Sequence, residues 1–220
     1  VRVNPIHEES QDYCSSEAEI EDVIAAGADV IMLPFFKTVE EVERFIKIVD
    51  GRATTLLLME TPEAAELADE IITIPGVDEI HLGLNDMSLG YRRTFMFELL
   101  ADGTVESLCL KFKRAGIPYG FGGVASIGAG KLPGETILKE HYRLGSSMVI
   151  LSRSFCNVDK NTDINYVREK FDIGVRSIRA FEKEISIHSR YFEENQYAVA
   201  KSVAEIVEQM NMERTNMSDE

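Results

Sequence analysis

The chain has 220 residues, of which 45% are hydrophobic and 28% are charged, a composition typical of a folded globular protein. Its 38 acidic and 23 basic residues give a net charge of −15, which would repel the phosphates of nucleic acids and the anionic surfaces of membranes. The sequence lacks an apolar run of roughly 18 residues and a basic-then-apolar start, so we expect neither a membrane span nor a signal peptide.

Six short apolar runs follow one another along the chain and predict strands. Their apolar character is continuous rather than alternating, which indicates strands that are buried on both faces, as in a parallel sheet. In chain order the runs are VRVNP (1–5), VIMLPFF (30–36), TTLLLME (54–60), EIHLGLND (79–86), IPYGFGG (117–123) and SMVILSRSF (147–155).

Helical patterns separate these runs. EEVERFIKIV follows the possible cap Thr38, and TPEAAELADEI opens with the possible cap Thr61 and with Pro62 at the first helical position. The segments EAEIEDVIAAGAD, VESLCLKFKRAG and ILKEHYRLGSS each reach a glycine shortly before the next strand. The chain therefore repeats a βα unit.

Repeated βα units suit either an open doubly wound sheet or a TIM (β/α)8 barrel that lacks two units. We favour the α/β barrel, because polar residues follow the strands all along the chain rather than at one crevice. Since VRVNP reads as a strand already under way, we expect the first two βα units to precede Val1. The predicted barrel portion spans residues 1–159.

A C-terminal helical extension is predicted over residues 160–220. A first helix carries an apolar stripe, a second helix runs through Val203, Ile206 and Met210, and the polar tail NMERTNMSDE frays. The length of the stripe favours exchange of these helices between the subunits of a homo-oligomer. The stripe consists of Ile164, Val167, Phe171, Val175, Ile178, Phe181 and Ile185.

Three side chains in or at the ends of predicted strands form the candidate site: Arg2, Glu60 and Asp86. Strand ends converge on the C-terminal face of a barrel, and two carboxylates there would suit Mg²⁺ or Mn²⁺ while leaving positions open for a chelating 2-oxo acid. The ion would stabilise an enolate, and Arg2 would clamp a carboxylate. Each residue also has a structural alternative: Glu60 and Asp86 as helix-cap or turn acids, and Arg2 as a solvated terminal residue.

Several other residues have both a functional and a simpler structural interpretation. The segment FGGVASIGAGKLPG does not fit the phosphate-loop pattern, and Gly120, Gly122 and Gly123 either let a strand end approach a ligand or metal or form a loop. A phosphate site after the late strands is a further alternative, with Lys131 as its nearby cation. His81 is interpreted as a hydrogen-bonded structural residue and His7 as a solvated loop residue that could contact substrate. The remaining assignments are His141 and His188 on helix surfaces, Arg153 in the barrel mouth or in a salt bridge, and Phe35, Phe36, Phe95 and Phe97 in the core or around the site.

Three cysteines, Cys14, Cys109 and Cys156, lie far apart and show no CxxC spacing. Neither a disulfide framework nor a zinc site is indicated, and a reducing cytoplasm fits best.

The combination of VRVNP, IMLPFFKTVEEVE, LLLMETPEA and HLGLNDMSLG resembles the HpcH/HpaI aldolase and citrate lyase β-subunit family, and the likeness extends over roughly residues 1 to 155. The resemblance implies a pyruvate-binding TIM barrel in which Glu60 and Asp86 hold a divalent ion and Arg2 holds substrate. It also implies that the backbone around Gly83 and Leu84 borders the bound carboxylate. The sequence departs from the family pattern at Asn85 and Met87, which leaves the substrate open.

The resulting prediction is a metal-dependent carbon–carbon lyase that acts on a 2-oxo acid or an acyl-CoA, with its general base expected in the preceding strands. The alternative is a non-catalytic protein that binds a pyruvate-like ligand, or serves in assembly, on the same barrel. A phosphate-binding isomerase would need a basic cradle that the sequence does not show.

Overall fold

A computed structural model describes residues 1–8, 14–152, 155, 163–187 and 190–218. Strands and helices alternate through the first two thirds of the chain, and two long helices end it. The strands are β1 (Val30–Leu33), β2 (Thr54–Met59), β3 (Glu79–Leu82), β4 (Tyr119–Val124) and β5 (Met148–Leu151). The helices are α1 (Ser16–Ala25), α2 (Val39–Val49), α3 (Pro62–Glu66), α4 (Ala68–Ile71), α5 (Leu84–Gly90), α6 (Glu98–Ala101), α7 (Thr104–Ala115), α8 (Gly134–Leu144), α9 (Ile164–Ile185) and α10 (Tyr191–Ser218).

The five strands form one parallel sheet whose spatial order, β1-β2-β3-β4-β5, follows the order of the chain. The segment VRVNP adds a single parallel bridge, between Arg2 and Met32, at the outer edge of β1. Repeated βα units and a parallel sheet are thereby confirmed, and the described strands correspond to half of a barrel.

Alternation along the strands gives the sheet two distinct faces. Leu57 pairs in register with Ile80, and both belong to the main core that the helices cover. Leu58 pairs with His81 on the opposite face, which Glu60 shares because it lies two residues after Leu58, just beyond the end of β2. This second face carries the candidate site.

Local signals in the sequence explain where the helices begin and end. Thr38 forms a capping box with Glu41, and Thr61 accepts a hydrogen bond from the N–H of Ala64 at the start of α3. Gly116 and Gly145 end α7 and α8 in the left-handed conformation. The predicted strand over 79–86 was too long, because β3 ends at Leu82 and α5 begins at Leu84.

The two C-terminal helices pack differently against the rest of the chain. Near its C-terminal end, α9 buries Ile178 and Ile185 in a small second core with Leu138 of α8. By contrast, α10 lies against α6 and α8 and buries Val199 and Val203 in the main core. The prediction of a frayed tail was wrong up to Ser218, because α10 continues to that residue. Among the described helices, none is long and apolar enough to cross a membrane.

Candidate active site at the strand ends

Glu60 is the first residue after β2 and is only 3% exposed. It lies between the strand and α3, whose N-cap is Thr61. Its Oε1 atom accepts a hydrogen bond of 3.2 Å from the backbone N–H of Phe35, in the loop after β1. The neighbouring strand end therefore fixes one oxygen of this buried carboxyl group.

Gly83 allows the next strand end to approach Glu60 closely. Its N–H donates to the carbonyl of Met59 at 2.9 Å. A Cβ atom at this position would lie 2.6 Å from Glu60 Cβ and 2.8 Å from Glu60 Oε2, distances that side chains do not tolerate. Only glycine fits here. Oε2 of Glu60 therefore lies against Gly83, which is the N-cap of α5.

Asp86 lies in the first turn of α5, three residues after Gly83, and is partly exposed. Its carboxyl group is close enough to raise the pKa of Glu60. The structure therefore brings the two predicted acids together. No group of three or more His, Cys, Asp or Glu side chains that could hold a metal occurs within the described ranges.

Burial and Asp86 raise the pKa of Glu60 to about 7, and burial is the larger cause. The N–H of Phe35 and the positive charge of Arg2 act in the opposite direction and lower this pKa. Arg2 is itself exposed, beside Met32 at the edge of the sheet. Arg2 and Asp86 thus both act on Glu60 at the same end of the sheet.

Leu84 points its side chain into the protein. It is buried, and the Cβ that Gly122 lacks would lie 3.2 Å from Leu84 Cδ1. What Leu84 can offer a ligand is its backbone, because the first N–H groups of a helix have no partner within that helix. Gly122 has a φ of 60°, a backbone conformation that favours glycine. Glycine at this position therefore allows both the backbone conformation and the close approach of Leu84.

Two predictions about histidines were wrong. His81 is buried on the same face as Glu60, but neither ring nitrogen has a hydrogen-bond partner among the described residues, and burial lowers its pKa to about 4. His141 is buried rather than on a helix surface: it stacks on Phe121 with ring centroids 3.8 Å apart, and burial lowers its pKa to about 3. Helical spacing alone did not show that this face of α8 turns inward.

His7 makes local contacts with the backbone. Its Nδ1 lies 2.7 Å from the carbonyl oxygen of Pro5 and its Nε2 lies 2.6 Å from that of Cys14. The ring is thus held within the loop that follows VRVNP. Arg153, Cys156 and His188, which the sequence also singled out, lie outside the described residues.

The four phenylalanines near the site divide by exposure. Phe36 and Phe97 are buried in the main core, and Phe95 packs against Phe97 with centroids 5.3 Å apart. Phe35 is exposed, and its backbone φ of 53° is unusual for a bulky residue. Sequence reasoning grouped these residues together, because no pattern marked Phe35 as conformationally distinct.

A parallel sheet with paired carboxyl groups at the C-terminal ends of neighbouring strands is the arrangement of (β/α)-barrel enzymes. A sequence model of the HpcH/HpaI aldolase/citrate lyase family matches residues 1–125, and the chain belongs to this family. The resemblance stated from the motifs is thereby confirmed, and in coarse terms the chain is a member of a family of lyases.

Solved structures support the fold. The crystal structure of RipC from Yersinia pestis matches at 14% identity and a TM-score of 0.55, over 70% of this chain and 70% of that chain. The HpcH/HpaI aldolase from Desulfitobacterium hafniense DCB-2 matches at 15% identity and a TM-score of 0.55, over 78% of this chain and 71% of that chain. No curated protein matches the sequence.

Proposed function

We propose that the protein is a divalent-metal-dependent carbon–carbon lyase that acts on a small 2-oxo acid or an acyl-CoA. The observation that carries the proposal is the pair formed by Glu60 and Asp86. A carboxyl group that is 3% exposed lies beside a second acid, and it accepts a hydrogen bond from the backbone N–H of Phe35. Such a pair is unfavourable alone and becomes favourable when a cation binds it.

The residues present fit Mg²⁺ or Mn²⁺. Both ions prefer carboxylate oxygens and are commonly held by one or two protein carboxylates, with substrate and water completing the coordination. Glu60 and Asp86 would be these two ligands. When bound, the ion would stabilise the negative charge that develops on the substrate oxygen as a carbon–carbon bond breaks or forms.

The remaining groups of the site would bind and orient the substrate. Arg2 would pair with its carboxylate or with the developing negative charge, because a guanidinium group can donate two parallel hydrogen bonds. The backbone at Gly83 and Leu84 would border the same carboxylate, since the N–H groups at the start of α5 lack partners within the helix. The absence of a side chain at Gly83 leaves the approach to Glu60 Oε2 open.

Calorimetric titration of oxalate, a stable mimic of the pyruvate enolate, tests this proposal directly. We expect binding to wild-type protein to require Mn²⁺ and to weaken on the order of 100-fold in Glu60→Gln and in Asp86→Asn, because loss of a group that merely supports a metal ligand already costs roughly 10–100-fold. Glu63→Gln is the matched control, since Glu63 is a nearby exposed acid that pairs with Lys37 at 3.2 Å.

Metal-independent binding of oxalate, or unchanged binding in both variants, would mean that the two acids have a structural role, and the lyase proposal would be dropped. Metal-dependent oxalate binding without cleavage of any 2-oxo acid adduct would favour the alternative of a non-catalytic protein for a pyruvate-like ligand.

We further propose that residues 160–220 mediate self-association of a cytoplasmic homo-oligomer. The supporting observation is that Phe171 and Val175, in the N-terminal half of the α9 stripe, remain exposed, as does Ile173. Light scattering of the full chain should return more than one subunit, and a monomer at micromolar concentration would contradict the proposal.

A further inference from the structure

Phe35 lies in a backbone conformation that bulky side chains avoid. Its φ is 53°, in the left-handed region, where only glycine and a few small polar residues are found routinely. Such conformations persist when the surrounding structure enforces them, and they concentrate at functional sites.

The loop that contains Phe35 is clamped to the strand end that carries Glu60. The N–H of Phe35 donates to Glu60 Oε1 at 3.2 Å, and the hydroxyl of Thr61 donates to the carbonyl of Phe36 at 2.9 Å. The Phe36 side chain is 1% exposed, which anchors the loop in the core. The unusual backbone of Phe35 therefore points its N–H at the buried carboxyl group.

This requirement explains the backbone but does not explain why the residue is phenylalanine. Glycine would adopt the same φ without strain. Packing does not explain it either, because Phe35 is 45% exposed whereas its neighbour Phe36 is buried. An aromatic ring that occupies a strained backbone position and has much of its surface in solvent is suited to contact with a ligand.

We propose that Phe35 is a positioning residue for Glu60 and a specificity-determining residue for the substrate. Its backbone holds Oε1 and leaves Oε2 against Gly83, on the side where α5 brings in Asp86. Its ring contacts an uncharged apolar or aromatic group on the part of the substrate beyond the 2-oxo acid. This inference rests on the proposed function and narrows its substrate class.

The charges near Phe35 agree with an uncharged group. Lys37, two residues further along the chain, already pairs with Glu63 at 3.2 Å. The ammonium group is therefore already engaged by an acid and is not free to pair with an anionic extension of the substrate. An apolar group needs no cation as its partner.

Two ligands and two variants test the proposal. Oxamate and N-phenyloxamate share the same chelating group and differ by a phenyl ring. We expect wild-type protein with Mn²⁺ to bind N-phenyloxamate on the order of tenfold more tightly, which corresponds to a free-energy difference of about 1.4 kcal/mol. Phe35→Gly should lose this preference, because glycine adopts the same backbone conformation but lacks the ring.

Phe35→Val tests the backbone instead of the ring. A β-branched residue does not adopt the left-handed conformation, so the N–H of residue 35 would turn away from Glu60. We expect its Mn²⁺ dissociation constant, measured by calorimetry without any substrate, to rise on the order of tenfold, the factor that a difference of about 1.4 kcal/mol gives. Urea unfolding of both variants establishes that they fold.

Each result either supports or overturns a part of the proposal. A preference for N-phenyloxamate that survives in Phe35→Gly would overturn the role of the ring. Wild-type Mn²⁺ affinity in a folded Phe35→Val would overturn the positioning role. Metal-independent binding of oxamate by the wild-type protein would instead contradict the proposed function, and the Mn²⁺ titrations of the two variants would still decide the positioning role.

Discussion

Two buried glutamates in this protein have opposite surroundings. Glu140, in α8, is 1% exposed, and both of its oxygens have partners. Arg143 Nη2 lies 2.8 Å from Oε2, and Asn195 Nδ2, on α10, donates to Oε1 at 2.8 Å. Arg143 also pairs with Glu106 of α7 at 2.8 Å, so the cluster ties three helices together.

Glu60 is buried almost as deeply, yet it has one backbone N–H and a second acid beside it. The comparison separates two uses of a buried carboxylate. Where the protein needs the acid for packing, it supplies the counter-charge itself. Glu60 is influenced by the positive charge of Arg2 but forms no salt bridge among the described residues, and such an acid is suited to bind a cation from outside.

The largest expected effect comes from removing the counter-charge of Glu140. Arg143→Met should lower the free energy of unfolding by about 3–5 kcal/mol, because it leaves a buried carboxylate without its partner. Glu60→Gln should leave the stability of the metal-free protein unchanged or raise it, since it removes the like charge beside Asp86. Urea unfolding at neutral pH measures both changes.

Arg179→Met is the control for that prediction, because Arg179 forms an exposed pair with Glu182 and should contribute less than about 1 kcal/mol. A loss of stability in Glu60→Gln as large as that in Arg143→Met would remove the distinction between the two acids.

A smaller effect is expected from pH. The folded-state pKa of Glu60 is raised to about 7 from its ordinary value of 4.5, so folding favours the protonated carboxyl group. This contribution is fully present below pH 4.5 and is lost as the pH rises through 7, amounting to at most about 3.5 kcal/mol at 1.4 kcal/mol per unit. Unfolding of metal-free protein between pH 4.5 and 8 should show this loss.

In Glu60→Gln the same pH series should lack this component, and saturating Mn²⁺ should oppose the loss in the wild-type protein. An identical pH dependence in wild type and variant would show that Glu60 titrates normally.

The smallest of the three effects concerns the close approach of the two strand ends. Gly83→Ala would place a methyl group 2.6 Å from Glu60 Cβ, and we expect a destabilisation of about 1–3 kcal/mol together with weaker Mn²⁺ binding. Gly123→Ala is the matched control, because its nearest neighbour would be Ser152 Cβ at 3.4 Å, an ordinary contact. Equal effects of both substitutions on Mn²⁺ binding would contradict a specific role for Gly83.

Much of the fold was predictable because its signals are local. Continuous apolar runs indicated the parallel strands, and Thr38, Thr61, Gly116 and Gly145 indicated helix boundaries through capping chemistry that involves only a few neighbouring residues. The proximity of Glu60 and Asp86 was predictable for a related reason. Both follow strands that are adjacent in chain order, and parallel strands bring such ends together.

The features that were missed depend on distant partners. Arg143 lies three residues from Glu140, but the second partner, Asn195, is 55 residues away, and the sequence around Glu140 does not indicate that this distant contact buries the acid. The burial of His141 likewise depends on the stacked ring of Phe121. The tail up to Ser218 belongs to α10, and this helix buries Val199 and Val203 in the main core. The polar composition of the tail itself does not indicate that packing elsewhere in the helix keeps it helical.

The sequential order of the strands has a consequence for biosynthesis. From β2 onward, each described strand pairs with the strand that immediately precedes it, so its partner has already been made when it leaves the ribosome. Arg2, Phe35, Glu60, Gly83 and Asp86 all lie within the first 90 residues of this sequence. The candidate site can therefore assemble during translation, well before α10 is synthesised and packs against α6 and α8.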